Sequence, residues 1–213
     1  MKTLPVVLSA PSGVGKTTIA RRLLAARDDL GYSVSATTRL PRGDERDGVD
    51  YHFLTDSEFV RREQAGEFAE SALVHGRRYG TLRSEVRRVL DAGRHVVMDI
   101  DVQGAAQFVR AFPESVLIFV LPPSVDVLVE RLRSRATETD AQLAERLRNA
   151  HAEFEQAGMY HHIVINDVLD RAVSEVSGII DTEVAARGRI EAIDGQVSGL
   201  IRQLEQQIAR FRG

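Results

Sequence analysis

Of the 28 basic residues in the chain only Lys2 and Lys16 are lysines. Lys16 stands in the stretch SAPSGVGKTT, residues 9 to 18, between Gly15 and Thr17. Glycine, lysine and a hydroxyl in that order form the discriminating end of the phosphate-binding pattern G-x-x-x-x-G-K-[ST]. The chemistry needs those residue types. Backbone N–H groups converge on a phosphate only where no Cβ obstructs them, and a following helix adds the positive end of its dipole. On this pattern Ala10, Pro11, Ser12, Gly13, Val14, Gly15, Lys16, Thr17 and Thr18 cradle a nucleoside triphosphate. Lys16 reaches the β- and γ-phosphates, and the Thr17 hydroxyl ligates Mg²⁺. The pattern's first glycine is Ala10 here, which serves if its φ is negative. The plainer alternative is a glycine-rich turn with no ligand, and it leaves the solitary lysine unexplained.

A triphosphate cradle does not identify an acceptor, which must be sought elsewhere. Residues 33 to 53, SVSATTRLPRGDERDGVDYHF, gather Arg39, Arg42 and Tyr51 among hydroxyls and carboxylates. Guanidinium forks pair bidentately with phosphate oxygens, although loop arginines taken alone are more often solvated. Residues 96 to 104, VVMDIDVQG, end an apolar run with Asp99 and Asp101, which a period of two places on one face at the strand's carboxyl end. Ligands sit at that edge of an open α/β sheet, and a carboxylate there suits Mg²⁺ or its waters. Asp101 could instead cap the next helix. The run RLRSR supplies Arg131 and Arg135 on one helix face, with Arg146 further on. Such arginines neutralise charge on a moving phosphoryl group as a flap closes; a solvated charged helix is the duller option.

These groups need a scaffold. Leu4 to Ser9 reads as a buried strand closed by breakers, and Gly15 to Arg27 carries Ile19, Leu23 and Leu24 at helical spacing. The pattern returns: strand His95 to Met98, helix Val102 to Ala111, strand Val116 to Leu121, helix Val125 to Ser134 and strand His162 to Ile165. Alternating strands and helices imply an α/β fold with a mostly parallel sheet flanked by helices. Two stretches interrupt the rhythm. Tyr32 to Thr81 has the composition of an inserted lobe, and Ser124 to Arg148 that of a charged helical flap. Beyond Arg187, Ile190, Ile193, Val197, Leu200, Leu204, Ile208 and Phe211 alternate in steps of three and four. That spacing suits docking on a partner, a second copy of the chain included. A terminal helix packed on its own domain accounts for it equally well.

Composition bounds the rest. At 213 residues the chain suits one domain with small appended lobes. It has no cysteine, hence no disulfide and no thiolate metal site, which fits a cytoplasmic protein. Met1 to Leu8 is too short in apolar residues for a secretory signal, and no apolar run is long enough to cross a bilayer. A net charge of −3 argues against general binding of nucleic acid or membranes. The six histidines lack any zinc-ligand spacing.

Together these motifs resemble guanylate kinase, a P-loop kinase that phosphorylates GMP from ATP. The resemblance runs from about Leu4 to about Ala172 through SAPSGVGKTT, SVSATTRLPR, E-x-D-G-V-D-Y-H-F, GEFAE, RRYGT, DIDVQGA, FVLPPS, RLRSR and VIND in order. It implies a P-loop core over 1–186, with a monophosphate-binding lobe at about 32–81 and a lid at about 124–148, and a helical extension over 187–213. It implies that Arg39, Arg42, Tyr51 and Tyr79 hold the GMP phosphate and that Ser35, Glu70, Thr81 and Asp101 read the guanine. Asp99 then lies near the Mg²⁺, Arg131, Arg135 and Arg146 over the ATP phosphates, and Asn166 just after the last strand. Guanine offers N1–H and a 2-amino group to carboxylate acceptors, whereas adenine leaves those acceptors unpaired, worth on the order of 10⁴-fold.

The chain departs from the family pattern in several places. PRGDE stands where Pro-Arg-x-Gly-Glu is usual, RSRAT lacks glycines around its arginine, Val168 replaces a common aspartate, and the tail is long. Two other classes compete. A non-catalytic binding module of the same fold has no use for Lys16, Thr17 and Asp99, and a sugar-phosphate kinase has none for Ser35, Glu70, Thr81 and Asp101.

Overall fold

The computed structural model describes residues 3–74, 76–133 and 140–210. In chain order these form β1 (Pro5–Ser9), α1 (Lys16–Ala26), β2 (Leu30–Tyr32), β3 (Ala36–Thr37), β4 (His52–Phe53), α2 (Asp56–Gln64), β5 (Phe68–Val74) and β6 (Arg77–Leu82). There follow α3 (Arg83–Asp91), β7 (His95–Asp99), α4 (Val102–Ala111), β8 (Val116–Leu121), α5 (Val125–Arg133), α6 (Asp140–Glu155), β9 (His162–Ile165) and α7 (Leu169–Arg210).

Five strands make a wholly parallel sheet in the order β2-β7-β1-β8-β9. Helices cover both of its faces, so PVVLS and VLIFVL read as continuous apolar runs rather than alternations. The period of two survives inside the core. Val6, Leu8 and Val97 join Ile19, Leu23, Leu128, Leu132, Val176 and Ile180 on one side. Val7, Val96 and Met98 join Phe108, Leu117 and Phe119 on the other. Each such side chain contributes about 1.5–3 kcal/mol on burial. A second sheet, β4-β3-β6-β5, forms the inserted lobe around Ala36, Phe59, Phe68 and Leu82, with the Phe59 and Phe68 rings stacked at 4.3 Å.

β2 differs from the sequence reading, which opened the insert at Tyr32. Its three residues pair in parallel with β7, Tyr32 opposite Val97, and so belong to the main sheet. Gly31 disguises the strand. A Cβ there would stand 2.5 Å from Val89 Cγ1, so the close approach of α3, rather than strand propensity, dictates the residue.

The charged stretch after β8 is anchored through its apolar sides. Leu128 and Leu132 of α5 are buried in the main core, as are Leu143 and Ala150 of α6. Residues 134–137 of RSRAT, Ser134 and Arg135 among them, lie outside the described residues. Helix α7 docks through Ala172, Val176 and Ile180, and Arg27 at the end of α1 clamps it by bonds to Ser177 and a 2.8 Å ion pair with Asp181. The helix then runs past the domain: Ile190, Ile193, Val197 and Leu200 are 47–59% exposed. Packing on their own domain is therefore not the arrangement of these four residues; Leu204 and Ile208 have no described side chains, and Phe211 lies outside the described residues. No described helix is long and apolar enough to cross a membrane.

Candidate active site

The register of the central strands assembles the floor of the site. Leu8 of β1 lies opposite Asp99 of β7, so the loop leaving β1 and the carboxylate ending β7 emerge side by side at the carboxyl edge. The loop turns into α1 through Gly15, whose φ of +105° lies where L side chains rarely go. A Cβ at Gly15 would also stand 2.7 Å from Asn166 Nδ2. That amide donates to the Val14 carbonyl at 2.7 Å, and Arg131 donates to the same carbonyl at 3.1 Å and to the Asn166 carbonyl at 3.0 Å. Asn166 and Arg131 thus brace the loop from behind, while the Val14 side chain is buried in the main core.

On the open side the loop lines a cleft of about 820 Å³ with Ala10, Pro11, Ser12, Gly13, Gly15, Lys16, Thr17, Thr18, Asp101, Arg146 and Glu153. Arg146 reaches from α6 to donate to Ser12 Oγ at 2.6 Å. Lys16 Nζ donates to the Ile100 carbonyl at 2.9 Å. Burial lowers its pKa, against the opposing pull of Asp99, Asp101, Glu153 and Glu70. Thr17 Oγ1 donates to Asp99 Oδ2 at 2.5 Å. A hydroxyl and a carboxylate at the mouth of an open cleft are hard oxygen donors of the kind Mg²⁺ takes. Among the described residues no group of three or more His, Cys, Asp or Glu is placed to hold a metal ion. The Thr17–Asp99 pair would fit an ion that phosphate oxygens also ligate.

A second cleft, about 590 Å³, opens between the main sheet and the inserted lobe. Ser35, Tyr51, Glu70, Tyr79, Asp99 and Asp101 line it, with Tyr32 and Glu45. Glu70 on β5 faces Thr81 on β6 across an antiparallel pair, and the buried Thr81 hydroxyl donates to Glu70 Oε1 at 2.7 Å. Burial pushes Glu70 up to about 7; the nearby Asp101 adds to the rise and Thr81 opposes it. The other oxygen, Oε2, lies 2.9 Å from where a Cβ on Gly104 would stand, with Asp101 Oδ1 at 3.3 Å. Glycine at the start of α4 therefore makes room for two carboxylates together. Asp101 also caps that helix, accepting from Gly104 N at 2.7 Å, so the capping alternative and a place in the cleft are both realised.

The arginines of the lobe are placed differently from one another. Arg39 makes a bidentate pair with Glu45, at 2.8 and 2.9 Å, and its guanidinium lies 5.2 Å from the Tyr51 ring centroid. Arg42 is exposed on the loop, its backbone N–H donating to Glu45 Oε2 at 2.8 Å. The PRGDE turn closes with Gly43 at φ +53° and Glu45 N bonded to the Arg42 carbonyl at 3.1 Å. Its displaced glycine thus occupies a left-handed position, and the Arg39–Glu45 pair forms across the turn. Tyr51 and Tyr79 meet edge-on at 6.2 Å, and burial pushes the Tyr51 phenol up.

Two residues of these clefts were not singled out from sequence. Glu153, in the cleft along the loop, is pushed up to about 7 by burial, with Lys16 opposing and Asp101 adding. It follows Arg146 by two helical turns on α6, a spacing that puts both on one face. Tyr32 was hidden with the strand that carries it. Its hydroxyl donates to Asp99 Oδ1 at 2.9 Å.

Fold and site together define a P-loop phosphotransferase with two adjoining clefts. The guanylate kinase family model matches residues 2–183. The chain is similar to the guanylate kinase of Anaeromyxobacter dehalogenans, 50% identical over 182 residues that cover 84% of this chain and 80% of the relative. It is also similar to the guanylate kinase of a Chelativorans species, 44% identical over 92% of this chain and 90% of the relative. Among solved structures, the crystal structure of guanylate kinase from Anaplasma phagocytophilum superposes with a TM-score of 0.67 at 33% identity, covering 85% of this chain and 86% of that one. The chain belongs to the guanylate kinase family.

Proposed function

We propose that the chain transfers the γ-phosphoryl group of ATP to GMP, giving ADP and GDP, with the donor on the P-loop and the acceptor under the inserted lobe. The observation that carries this reading is the meeting of the clefts: Thr17 and Asp101 line both. An acceptor phosphate held in one lies next to a donor phosphate held in the other, as in-line transfer requires.

The geometry supports a division of labour. Lys16 exchanges the Ile100 carbonyl for phosphate oxygens, and Arg146 and the Gly13–Thr18 backbone hold the remaining donor charge. Arg39, Arg42, Tyr51 and Tyr79 take the acceptor phosphate; Ser35, Glu70, Thr81 and Asp101 take the base. Thr17 and Asp99 would hold Mg²⁺, which when bound would offset negative charge on the donor phosphates. Arg135 joins Arg131 and Arg146 in the lid assignment although it lies outside the described residues. Arg131, bonded to the loop carbonyls, contributes by keeping the loop in shape.

A coupled assay of ADP release with ATP and each nucleoside monophosphate in turn tests the reading. GMP should exceed AMP and CMP by several orders of magnitude in kcat/KM, and comparable turnover of either would overturn it.

The partner assigned to the tail is a second copy of the chain. Its exposed apolar stripe begins at Ile190, beyond the 2–183 span of the family match, which supports a catalytic domain that does not depend on it. The three-four alternation is the seam along which like helices interlock.

A further inference from the structure

Asp99 has two carboxylate oxygens, and a different hydroxyl bonds each. Thr17 Oγ1 donates to Oδ2 at 2.5 Å and Tyr32 Oη donates to Oδ1 at 2.9 Å. We infer that Tyr32 is a positioning residue for phosphoryl transfer, holding the Asp99 carboxylate so that Oδ2 is the oxygen offered beside Thr17.

The sheet makes this contact possible. Tyr32 pairs with Val97 in the parallel register of β2 and β7. Val97 and Asp99 lie two residues apart and face the same way. Tyr32 is therefore the diagonal neighbour of Asp99, a separation that an aromatic side chain spans. A terminal carboxylate rotates freely about its side-chain bonds unless something fixes it, and Asp99 is the last residue of its strand. With Oδ1 engaged by the phenol, rotation that would turn Oδ2 away from Thr17 breaks a charge-assisted hydrogen bond. The next residue extends the arrangement: the Ile100 carbonyl accepts from both Ser9 Oγ and Lys16 Nζ. Two consecutive residues at the end of β7 thus orient both the candidate metal pair and the catalytic ammonium. Tyr32 also lines the acceptor cleft, alongside Thr17, which lines both clefts.

The inference rests on reading Thr17 and Asp99 as the metal pair, and the experiment separates the two claims. Tyr32→Phe keeps the ring and removes only the donor. Mn²⁺ binding to the enzyme–ADP complex, followed by electron paramagnetic resonance with no acceptor present, should weaken about tenfold in Tyr32→Phe, the usual cost of losing a group that orients a metal ligand. kcat should fall by a similar factor, KM for GMP should stay within about twofold, and the variant should melt cooperatively like the parent. In an Asp99→Asn background the same substitution should change Mn²⁺ affinity by less than about twofold, because the carboxylate it orients is gone. Unchanged Mn²⁺ affinity in Tyr32→Phe alongside a weakened Asp99→Asn overturns the positioning role alone. If Asp99→Asn also binds Mn²⁺ like the parent, the metal pair and the positioning role fall together. A Tyr32→Phe defect that appears only as a lower melting temperature marks Tyr32 as a packing residue and likewise overturns the inference.

Discussion

Lys16 and Ser9 share one acceptor, the Ile100 carbonyl, at 2.9 and 2.8 Å. The strand that delivers the loop and the loop's own lysine thus meet on the backbone between Asp99 and Asp101. The ammonium donates to a neutral carbonyl, and entry of a triphosphate would offer it charged oxygens instead. Lys16→Met should therefore lower kcat by about 10²–10³, the cost of one preorganised donor at developing charge. Its effect on GMP binding should be small, because the acceptor cleft does not include it. Steady-state rates combined with calorimetric GMP titration separate the two. Undiminished kcat would remove the loop from the mechanism.

Glu70 makes acceptor binding depend on pH. Its carboxyl is pushed up to about 7 by burial, and only the ionised form can accept from both N1–H and the 2-amino group of guanine. KM for GMP should fall as pH rises, by about tenfold between pH 6 and pH 8, levelling above the pKa of the free enzyme. The profile of kcat/KM against pH checks this, and Glu70→Gln should abolish the inflection along with most of the activity.

The same residue sets a trade between stability and function. Its folded pKa, about 7, lies above the ordinary 4.5, so the folded state binds the proton more tightly than the unfolded chain does. The stabilising contribution is fully present below about pH 4.5 and is lost as pH rises through 7, on the order of 3 kcal/mol in all. Glu70→Gln keeps an acceptor for Thr81 without a buried charge. The ligand-free variant should be more stable than the parent at pH 8 by about 1–2 kcal/mol, with the gain shrinking towards pH 5. Denaturant melts at the two pH values measure it, and a variant less stable at pH 8 would contradict the burial argument.

The legibility of these features in the sequence depended on how local their causes are. The P-loop was readable because its requirements are local: a lysine between a glycine and a hydroxyl, after one strand and before one helix. β1, β8 and α4 were readable because burial writes itself as apolar runs or helical spacing. β2 was not, since Gly31 answers to Val89 on a helix more than fifty residues away. Tyr32 went unseen with it, because its meaning comes from a diagonal neighbour on β7 that only the register supplies. Arg131 showed a different limit. Its charge and helix face predicted a place over phosphates, whereas its bonds to the Val14 and Asn166 carbonyls depend on where β9 ends. Asp101 was readable both as a helix cap and as a residue at the strand's carboxyl edge, and it caps α4 while lining the cleft.

The tail provides the remaining test. Four apolar residues on one face of α7 stand 47–59% exposed, and burying such a stripe against a like helix would remove several hundred Å² of apolar surface from water at about 25 cal/mol per Å². Gly188, Gly195 and Gly199 lower the helix's intrinsic stability, so the pairing should be reversible rather than obligate. Light scattering on the full chain at micromolar concentration should give about twice the 23.6 kDa of one chain, falling towards one chain on dilution. Removing everything after Arg187 should leave a single-chain mass at every concentration, with kcat and KM for GMP unchanged within about twofold, because neither cleft uses the tail. A full chain that is monomeric at high concentration, or a truncated one that still doubles, would show that the stripe does not bind a second copy.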